Sequence, residues 1–198
     1  MTGYSNFSSN KIKENMSALL IIDMQKGSFT NKTPRYNTKS VVARINDLST
    51  LFRKMRMPVV IIQHDGRGTG EFEKHSVEWQ NLDELTIEPT DVLIDKYAND
   101  AFYKTDLQNK LDELAVDQVI VTGCATDFCI ESTIQSALSK NYNVLIIEDG
   151  HTTADRPHLK ADKVIEHYNW VWRHMLPTQG NIGVEKAEIV KSRYFAGI

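Results

Sequence analysis

The sequence predicts an α/β protein with three layers, α/β/α, around a mainly parallel, doubly wound sheet of about six strands. Short apolar runs of four to six residues recur along the chain, and segments with apolar residues at helical spacing separate them. Apolar runs without alternation indicate strands that are covered on both faces. The helical segments between them supply the crossovers that parallel strands require.

Five apolar runs are long enough for buried strands and too short for helices. They cover residues 18–23, 59–63, 92–95, 118–122 and 144–147, and residues 188–190 are a candidate for a last strand. An apolar stripe at helical spacing predicts a helix between the first two runs. Its members are Val41, Val42, Ile45, Leu48, Phe52 and Met55.

Further helices are predicted near residues 107–114, 130–138 and 159–168, the first of them opened by a capping-box pattern at residues 105–108. Residues 64–90 contain three glycines and a proline and predict a long irregular loop. Loops of that length in compact domains often serve function.

Composition restricts the class of protein. The 198 residues suffice for one sizeable core, so residues 17–198 are predicted to form a single domain after a flexible arm, residues 1–16. A net charge of −3 with scattered signs favours neither nucleic acid nor a membrane surface as partner. Two cysteines are too few for a disulfide framework. We therefore expect a cytoplasmic protein with free thiols and a small-molecule substrate.

Reactive side chains follow three of the predicted strands. Asp23 ends the first, Lys96 follows the third, and the fourth leads into Cys129 just before a helix. Open α/β sheets bind ligands beyond the carboxyl ends of their strands. The topology therefore predicts that a carboxylate, an ammonium group and a thiol meet at one edge of the sheet.

This set suits nucleophilic catalysis. A neighbouring cation and a helix N-terminus are expected to lower the pKa of the Cys129 thiol. Asp23 is expected to accept the thiol proton and return it to a leaving amine. Backbone N–H groups of Ala125, Thr126 and Cys129 are expected to stabilise the developing oxyanion.

The segments ALLIIDMQ, DVLIDK and VIVTGCATDFCIESTIQSA, in this order and spacing, resemble the isochorismatase-like cysteine hydrolase superfamily, which includes nicotinamidases, carbamoyl-group amidases and isochorismatases. The resemblance covers residues 17–178. It implies a catalytic triad, namely Asp23, Lys96 and Cys129. It also implies a six-stranded parallel sheet, a non-proline cis peptide between Ala125 and Thr126, and a homodimer or homotetramer.

Two features narrow the activity that the resemblance implies. Nicotinamidases of this superfamily carry an Asp-x-His metal motif where this chain has Gln63-His64-Asp65, so we expect neither a metal nor another cofactor. Isochorismatases proper cleave a vinyl ether without an acyl-enzyme and do not need a thiol. The presence of Cys129 therefore favours hydrolysis of an amide or carbamoyl C–N bond, whereas Gln63 matches a substrate-contacting glutamine of isochorismatases.

Several residues near the three reactive positions are candidates for binding substrate: Gln63, His64, Tyr97, Phe102 and Phe128. Packing is the ordinary alternative for the aromatic ones. Cys124 is expected to be a core residue, and the histidine-containing segment 151–158 to serve structure or a subunit interface. Trp170 and Trp172 are candidates for covering a neighbouring subunit.

Three functional hypotheses remain open at this point. A thiol amidase needs Cys129, a vinyl-ether hydrolase that releases pyruvate needs Asp23 and not the thiol, and a non-catalytic binding module needs neither.

Overall fold

The computed structural model describes residues 16–196 and contains a six-stranded, all-parallel sheet. The strands are β1 (Met16–Ile22), β2 (Val59–His64), β3 (Val92–Lys96), β4 (Val116–Cys124), β5 (Asn143–Thr152) and β6 (Ile182–Glu185), and their spatial order is β3-β2-β1-β4-β5-β6. The predicted arm, residues 1–16, lies outside the described residues except for Met16.

Helices cover both faces of the sheet. One face carries α1 (Thr38–Lys54) and α5 (Ala187–Tyr194), and the other carries α2 (Leu107–Glu113), α3 (Glu131–Ser139) and α4 (Ala161–Arg173). Consecutive side chains of a strand point to opposite faces. In β1, Leu19 and Ile21 therefore pack in the core beneath α1, while Leu20 and Ile22 pack in the opposite core. The predicted three-layer architecture is confirmed.

The strand order reverses between β1 and β4. The chain adds β2 and β3 on one side of β1, then returns to place β4, β5 and β6 on the other side. Gly123 permits close pairing at this point, because a Cβ there would lie 2.1 Å from the Ile22 carbonyl oxygen and its φ is +123°. A reversal of this kind opens a crevice at the carboxyl ends of the two strands.

The prediction of a last strand at residues 188–190 is wrong, and so is that of a subunit contact at Trp172, whereas the contact at Trp170 stays a prediction. Residues 188–190 belong to α5, whose buried side chains Ala187, Val190 and Tyr194 recur at helical spacing, and the last strand is β6. Trp172 is fully buried in the core, whereas Trp170 is 59% exposed. Both tryptophans lie in α4, where positions two apart point to nearly opposite sides of the helix.

The loop between β2 and β3 contains no helix or strand, as predicted. It is held to the end of the sheet by Gln25, whose amide donates to the carbonyl oxygens of His64 and Trp79 at 2.9 and 2.8 Å. In the part of the chain that the structure describes, none of the helices has the length and apolar character that crossing a bilayer requires.

Candidate active site

Three side chains meet at the carboxyl edge of the sheet. Asp23 directly follows β1, Lys96 ends β3, and Cys129 lies in the helical turn Thr126–Ile130 that follows β4. The Lys96 ammonium nitrogen lies 2.8 Å from Asp23 Oδ2 and 3.3 Å from Cys129 Sγ. The structure thus brings the three predicted residues together around one ammonium group.

The Asp23–Lys96 ion pair is withdrawn from solvent. Lys96 is fully buried and Asp23 is 5% exposed. The ammonium group also donates to the carbonyl oxygen of Ala98 at 2.9 Å. Asp23 has a φ of +50°, a left-handed conformation that costs free energy in a residue with a side chain, and its N–H donates to the Ile62 carbonyl oxygen at 2.9 Å. The end of β2 therefore holds Asp23 in this conformation.

The charges around the thiol differ from the sequence-based expectation. Burial raises the pKa of Cys129, the Asp23 carboxylate raises it further, and the Lys96 ammonium acts in the opposite direction. Burial also opposes the charge of Lys96, but the Asp23 carboxylate and Cys129 outweigh it and raise the pKa of this lysine. The expected lowering of the thiol pKa is wrong, because it counted the cation without the carboxylate and the burial. At neutral pH the set is a thiol beside an ion pair.

The turn that carries Cys129 begins at a cis peptide between Cys124 and Ala125, one residue earlier than the resemblance implies. β4 continues through Cys124, two residues beyond the end of the predicted strand. The Ala125 carbonyl oxygen accepts hydrogen bonds from the N–H groups of Phe128 and Ile130 at 3.0 and 3.2 Å. These bonds fix the peptide units expected to face an oxyanion.

A buried chain of hydrogen bonds holds the side chain of Thr126. Its hydroxyl lies 2.9 Å from Nδ1 of His151, whose Nε2 lies 3.1 Å from Oδ1 of Asn169, and the Asn169 amide donates to the Glu148 carbonyl oxygen. The Asn169 oxygen must therefore accept from Nε2, so Nδ1 accepts from Thr126. Burial lowers the pKa of His151 to about 4, and the imidazole is neutral at pH 7.

The segment 151–158 also holds Asp127 in the same turn. Arg156 donates to both oxygens of the Asp127 carboxylate at 2.7 and 2.8 Å, and the Thr153 hydroxyl donates to it at 2.7 Å. The Arg156 guanidinium lies 5.0 Å from the centre of the Phe128 ring. Within one chain, this segment supports the turn that carries the cysteine.

A cavity of about 220 Å³ opens in front of the thiol. Its lining residues are Asp23, Ser28, Arg35, His64, Phe72, Asn99, Cys124, Ala125, Phe128 and Cys129. Of the predicted substrate-binding residues, His64 and Phe128 therefore lie at this cavity. Cys124 is 1% exposed, as predicted for a core residue, and burial raises the pKa of its thiol to about 12.

The other three predicted substrate-binding residues lie elsewhere. Gln63 is buried, and its amide donates to the Trp79 carbonyl oxygen at 2.9 Å, so it anchors the β2–β3 loop. The Tyr97 hydroxyl accepts from Arg67 at 2.7 Å on the surface. Phe102 is buried in the core beneath α2 and α3. Proximity in sequence to a reactive residue did not predict which side chains reach the cavity.

A family model described as Isochorismatase domain matches residues 17–176. The chain belongs to the isochorismatase family. Relatives of this isochorismatase-family protein include YddQ of Bacillus subtilis (strain 168), an uncharacterized isochorismatase family protein that is 31% identical over 140 residues, 69% of this chain and 77% of the relative. Nicotinamidase 3 of Arabidopsis thaliana is 28% identical over 155 residues, 70% of this chain and 74% of the relative.

A crystal structure of an isochorismatase family protein, 30% identical in sequence, superposes with a TM-score of 0.77 over 84% of this chain and 96% of that chain. These similarities place the protein in the isochorismatase-like hydrolase superfamily.

Four residues at the cavity of this isochorismatase-family protein were not predicted from sequence: Ser28, Arg35, Phe72 and Asn99. All lie in the segments that follow β1, β2 or β3, Ser28 in a short 3₁₀ turn and the others in loops. Their position after a strand was the available signal, and no motif distinguished them. In residues 16–196, no group of three or more His, Cys, Asp or Glu side chains is placed to hold a metal ion.

Proposed function

We propose that this protein hydrolyses a small-molecule amide or carbamoyl C–N bond, with Cys129 as the nucleophile and a thioester as the intermediate. The observation that carries the proposal is the position of the Lys96 ammonium nitrogen, 2.8 Å from Asp23 Oδ2 and 3.3 Å from Cys129 Sγ. Membership of a hydrolase superfamily and a relative named as a nicotinamidase support an amide as substrate.

The first half of the proposed reaction forms the thioester. The buried Oδ1 of Asp23, which accepts no hydrogen bond from the described residues, takes the thiol proton as Cys129 Sγ attacks the carbonyl carbon. The Lys96 ammonium stabilises the thiolate as it forms. The carbonyl electron pair moves to oxygen, where N–H groups of the turn stabilise it. Asp23 then gives the proton to the leaving nitrogen, and the C–N bond breaks.

The second half restores the thiol. Water attacks the thioester carbon while Asp23 accepts one of its protons. The C–S bond then breaks, the carboxylic or carbamic acid departs, and the proton returns from Asp23 to the Cys129 sulfur. A thiol with a raised pKa suits this sequence, because it keeps its proton until a substrate carbonyl is present to receive the electron pair.

The cavity restricts the size of the substrate. Its volume of about 220 Å³ lies below the range of roughly 300–1,000 Å³ typical of sites for drug-sized ligands. Phe72 and Phe128 give it two aromatic walls. A compact amide or carbamoyl compound fits this description.

The vinyl-ether alternative rests on Gln63 as a substrate contact and on the missing Asp-x-His motif, which a metal-free amidase lacks equally. Because the Gln63 side chain is buried and donates to the Trp79 carbonyl oxygen, no observation at the site favours that alternative. A non-catalytic module has no need of a buried ion pair against a cysteine. Such a pair is a risk to stability, because the loss of one partner leaves the other charge buried and unpaired.

The test is substitution combined with mass analysis. Cys129→Ala and Asp23→Asn are expected to abolish ammonia release from a panel of small amides and ureido compounds while circular dichroism stays unchanged. Asp47→Asn, which removes an exposed carboxylate of α1, is the matched control and is expected to keep full activity. Intact mass of the wild type, quenched during turnover, should show an acyl adduct that maps to Cys129. Full activity of Cys129→Ala, or its release of pyruvate from isochorismate, refutes the proposal.

A further inference from the structure

Arg35 lies in the loop that joins β1 to α1, where it lines both the cavity in front of Cys129 and a neighbouring surface cavity. Its Nε donates to the Ser28 carbonyl oxygen at 2.7 Å. Its backbone pairs with that of Ala154, and the next residue, Tyr36, donates its N–H to the Thr153 carbonyl oxygen at 2.9 Å. The guanidinium is thus fixed at one nitrogen, on a segment whose backbone is held against residues 153–154.

The remaining donors of this guanidinium have no protein partner in residues 16–196. Its two terminal nitrogens make no hydrogen bond there, and no carboxylate forms an ion pair with it. The acid at the cavity, Asp23, is already paired with Lys96 at 2.8 Å. Burial and the Lys96 charge lower the pKa of His64, which is therefore neutral at pH 7. The cavity consequently carries one uncompensated positive charge.

We propose that Arg35 binds a carboxylate of the substrate, which makes the substrates small amides or carbamoyl compounds that carry one carboxylate. The planar guanidinium presents parallel N–H donors that match the two oxygens of a carboxylate. A single cation matches a monoanion, whereas a phosphate dianion calls for a second cation. The assignment of the scissile bond rests on the proposed function, but the binding of a carboxylate at Arg35 does not.

The first experiment uses the nucleophile as a reporter of charge in the cavity. Iodoacetate and iodoacetamide deliver nearly the same group to a thiol, but only iodoacetate carries a carboxylate. We expect the ratio of the two labelling rates at Cys129 to exceed the same ratio for glutathione at least tenfold. Arg35→Gln should lower the ratio at Cys129 about tenfold, and Arg35→Lys, which keeps the charge, should lower it less.

The matched control is Lys39→Gln. Lys39 is an exposed residue of α1 that lines a neighbouring surface cavity, so its loss changes the net charge equally without altering the lining at the thiol. This variant should keep the wild-type ratio. An unchanged ratio in Arg35→Gln overturns the proposal, and so does an equal fall in Lys39→Gln, which indicates long-range attraction alone.

A second measurement needs neither labelling nor turnover. Succinate is a carboxylate probe, and its binding to the folded chain should raise the melting temperature of the wild type and of Lys39→Gln. Arg35→Gln should show no such rise. Because this variant also loses the bond to Ser28, its circular dichroism and melting temperature without succinate are compared first. An equal rise in Arg35→Gln overturns the proposal.

The third measurement joins the two proposals and separates their failures. Ammonia release is compared for succinamate, which carries a carboxylate, and succinamide, which is neutral. Arg35→Gln should raise the ratio of KM for succinamate to KM for succinamide at least tenfold, whereas Lys39→Gln should leave this ratio as in the wild type. If neither compound is hydrolysed while Arg35→Gln still abolishes the iodoacetate preference, carboxylate binding stands and the amidase proposal fails for these compounds. If both are hydrolysed equally by wild type and variant, the amidase proposal stands and the role of Arg35 is refuted.

Discussion

Replacing Asp23 by Asn should make Cys129 more reactive toward a simple alkylating agent while it abolishes turnover. The carboxylate does two opposing things in the proposed site: it raises the pKa of the thiol, and it accepts the thiol proton during catalysis. An amide of nearly the same shape removes the charge and the base together. The remaining charge beside the sulfur is then that of Lys96.

The magnitude follows from the repulsion that the substitution removes. Asp23 Oδ2 and Cys129 Sγ lie 2.8 and 3.3 Å from the same Lys96 nitrogen, so these two atoms are at most about 6 Å apart. With an effective dielectric constant near 20, that separation corresponds to a repulsion of about 3 kcal/mol between the carboxylate and a full thiolate. We expect the pKa of the thiol to fall by about one to two. The thiolate fraction at pH 7 then rises about 10- to 100-fold. A thiolate of lower pKa is also a weaker nucleophile, and this loss cancels roughly half of the gain on a logarithmic scale. The labelling rate should therefore rise about three- to tenfold.

The assay is labelling by iodoacetamide at pH 7, followed by intact mass and assigned by peptide mapping. Cys124 serves as an internal reference, since it is 1% exposed and its thiol pKa is raised to about 12. Asp47→Asn controls for the loss of one negative charge at a distance. A labelling rate in Asp23→Asn equal to or below that of the wild type refutes the reasoning, because Asp23 then does not oppose ionisation of the thiol.

Three further predictions follow from buried groups. Lys96→Met leaves the Asp23 carboxylate buried and unpaired, so it should reduce the free energy of unfolding by about 3–5 kcal/mol in urea titrations. Burial lowers the pKa of His151 from 6.5 to about 4, so the imidazole binds a proton more readily in the unfolded chain. Its contribution to the free energy of unfolding, up to about 3 kcal/mol, is therefore complete above pH 6.5 and is lost as the pH falls toward 4. Gly123→Ala places a Cβ 2.1 Å from the Ile22 carbonyl oxygen and should cost about 3 kcal/mol or more.

Each of these predictions has its own control. Asp23→Asn combined with Lys96→Met removes both charges and should be more stable than Lys96→Met alone; a double variant that is less stable contradicts the ion-pair account. His151→Gln should show a smaller loss of stability between pH 7 and pH 4.5 than the wild type, and an equal loss assigns the acid sensitivity to other groups. Unchanged stability of Gly123→Ala is incompatible with the close approach of β4 to β1.

The sequence was sufficient for the elements whose signal is local. The apolar run in β1 predicted a doubly covered strand because period-two alternation is absent, and the structure places its alternate residues in two cores. The prediction of a strand at residues 188–190 is wrong because two β-branched residues, Ile189 and Val190, do not distinguish a strand from one turn of helix. The period of Ala187, Val190 and Tyr194 was the signal for a helix, and it extends beyond those three residues.

The segment 151–158 illustrates what composition cannot decide. Its histidine, threonine and arginine residues predicted structure or an interface, and no spacing rule related them to the cysteine. The fold brings the segment behind the turn, where Arg156 pairs with Asp127 and His151 holds Thr126. Those contacts join positions about 25 to 29 residues apart in the chain, so they depend on the pairing of β4 with β5.

The sequence by itself determined the three-layer parallel fold and the convergence of Asp23, Lys96 and Cys129, because strand ends of a parallel sheet lie at one edge whatever the loops do. The tertiary structure alone decided the electrostatic state of the thiol and the identity of the cavity walls. Both depend on burial and on distances of a few ångströms between loops, and Arg35 reaches the cavity from a loop that carries no motif. Long-range packing sets such distances, and no local pattern in the chain encodes them.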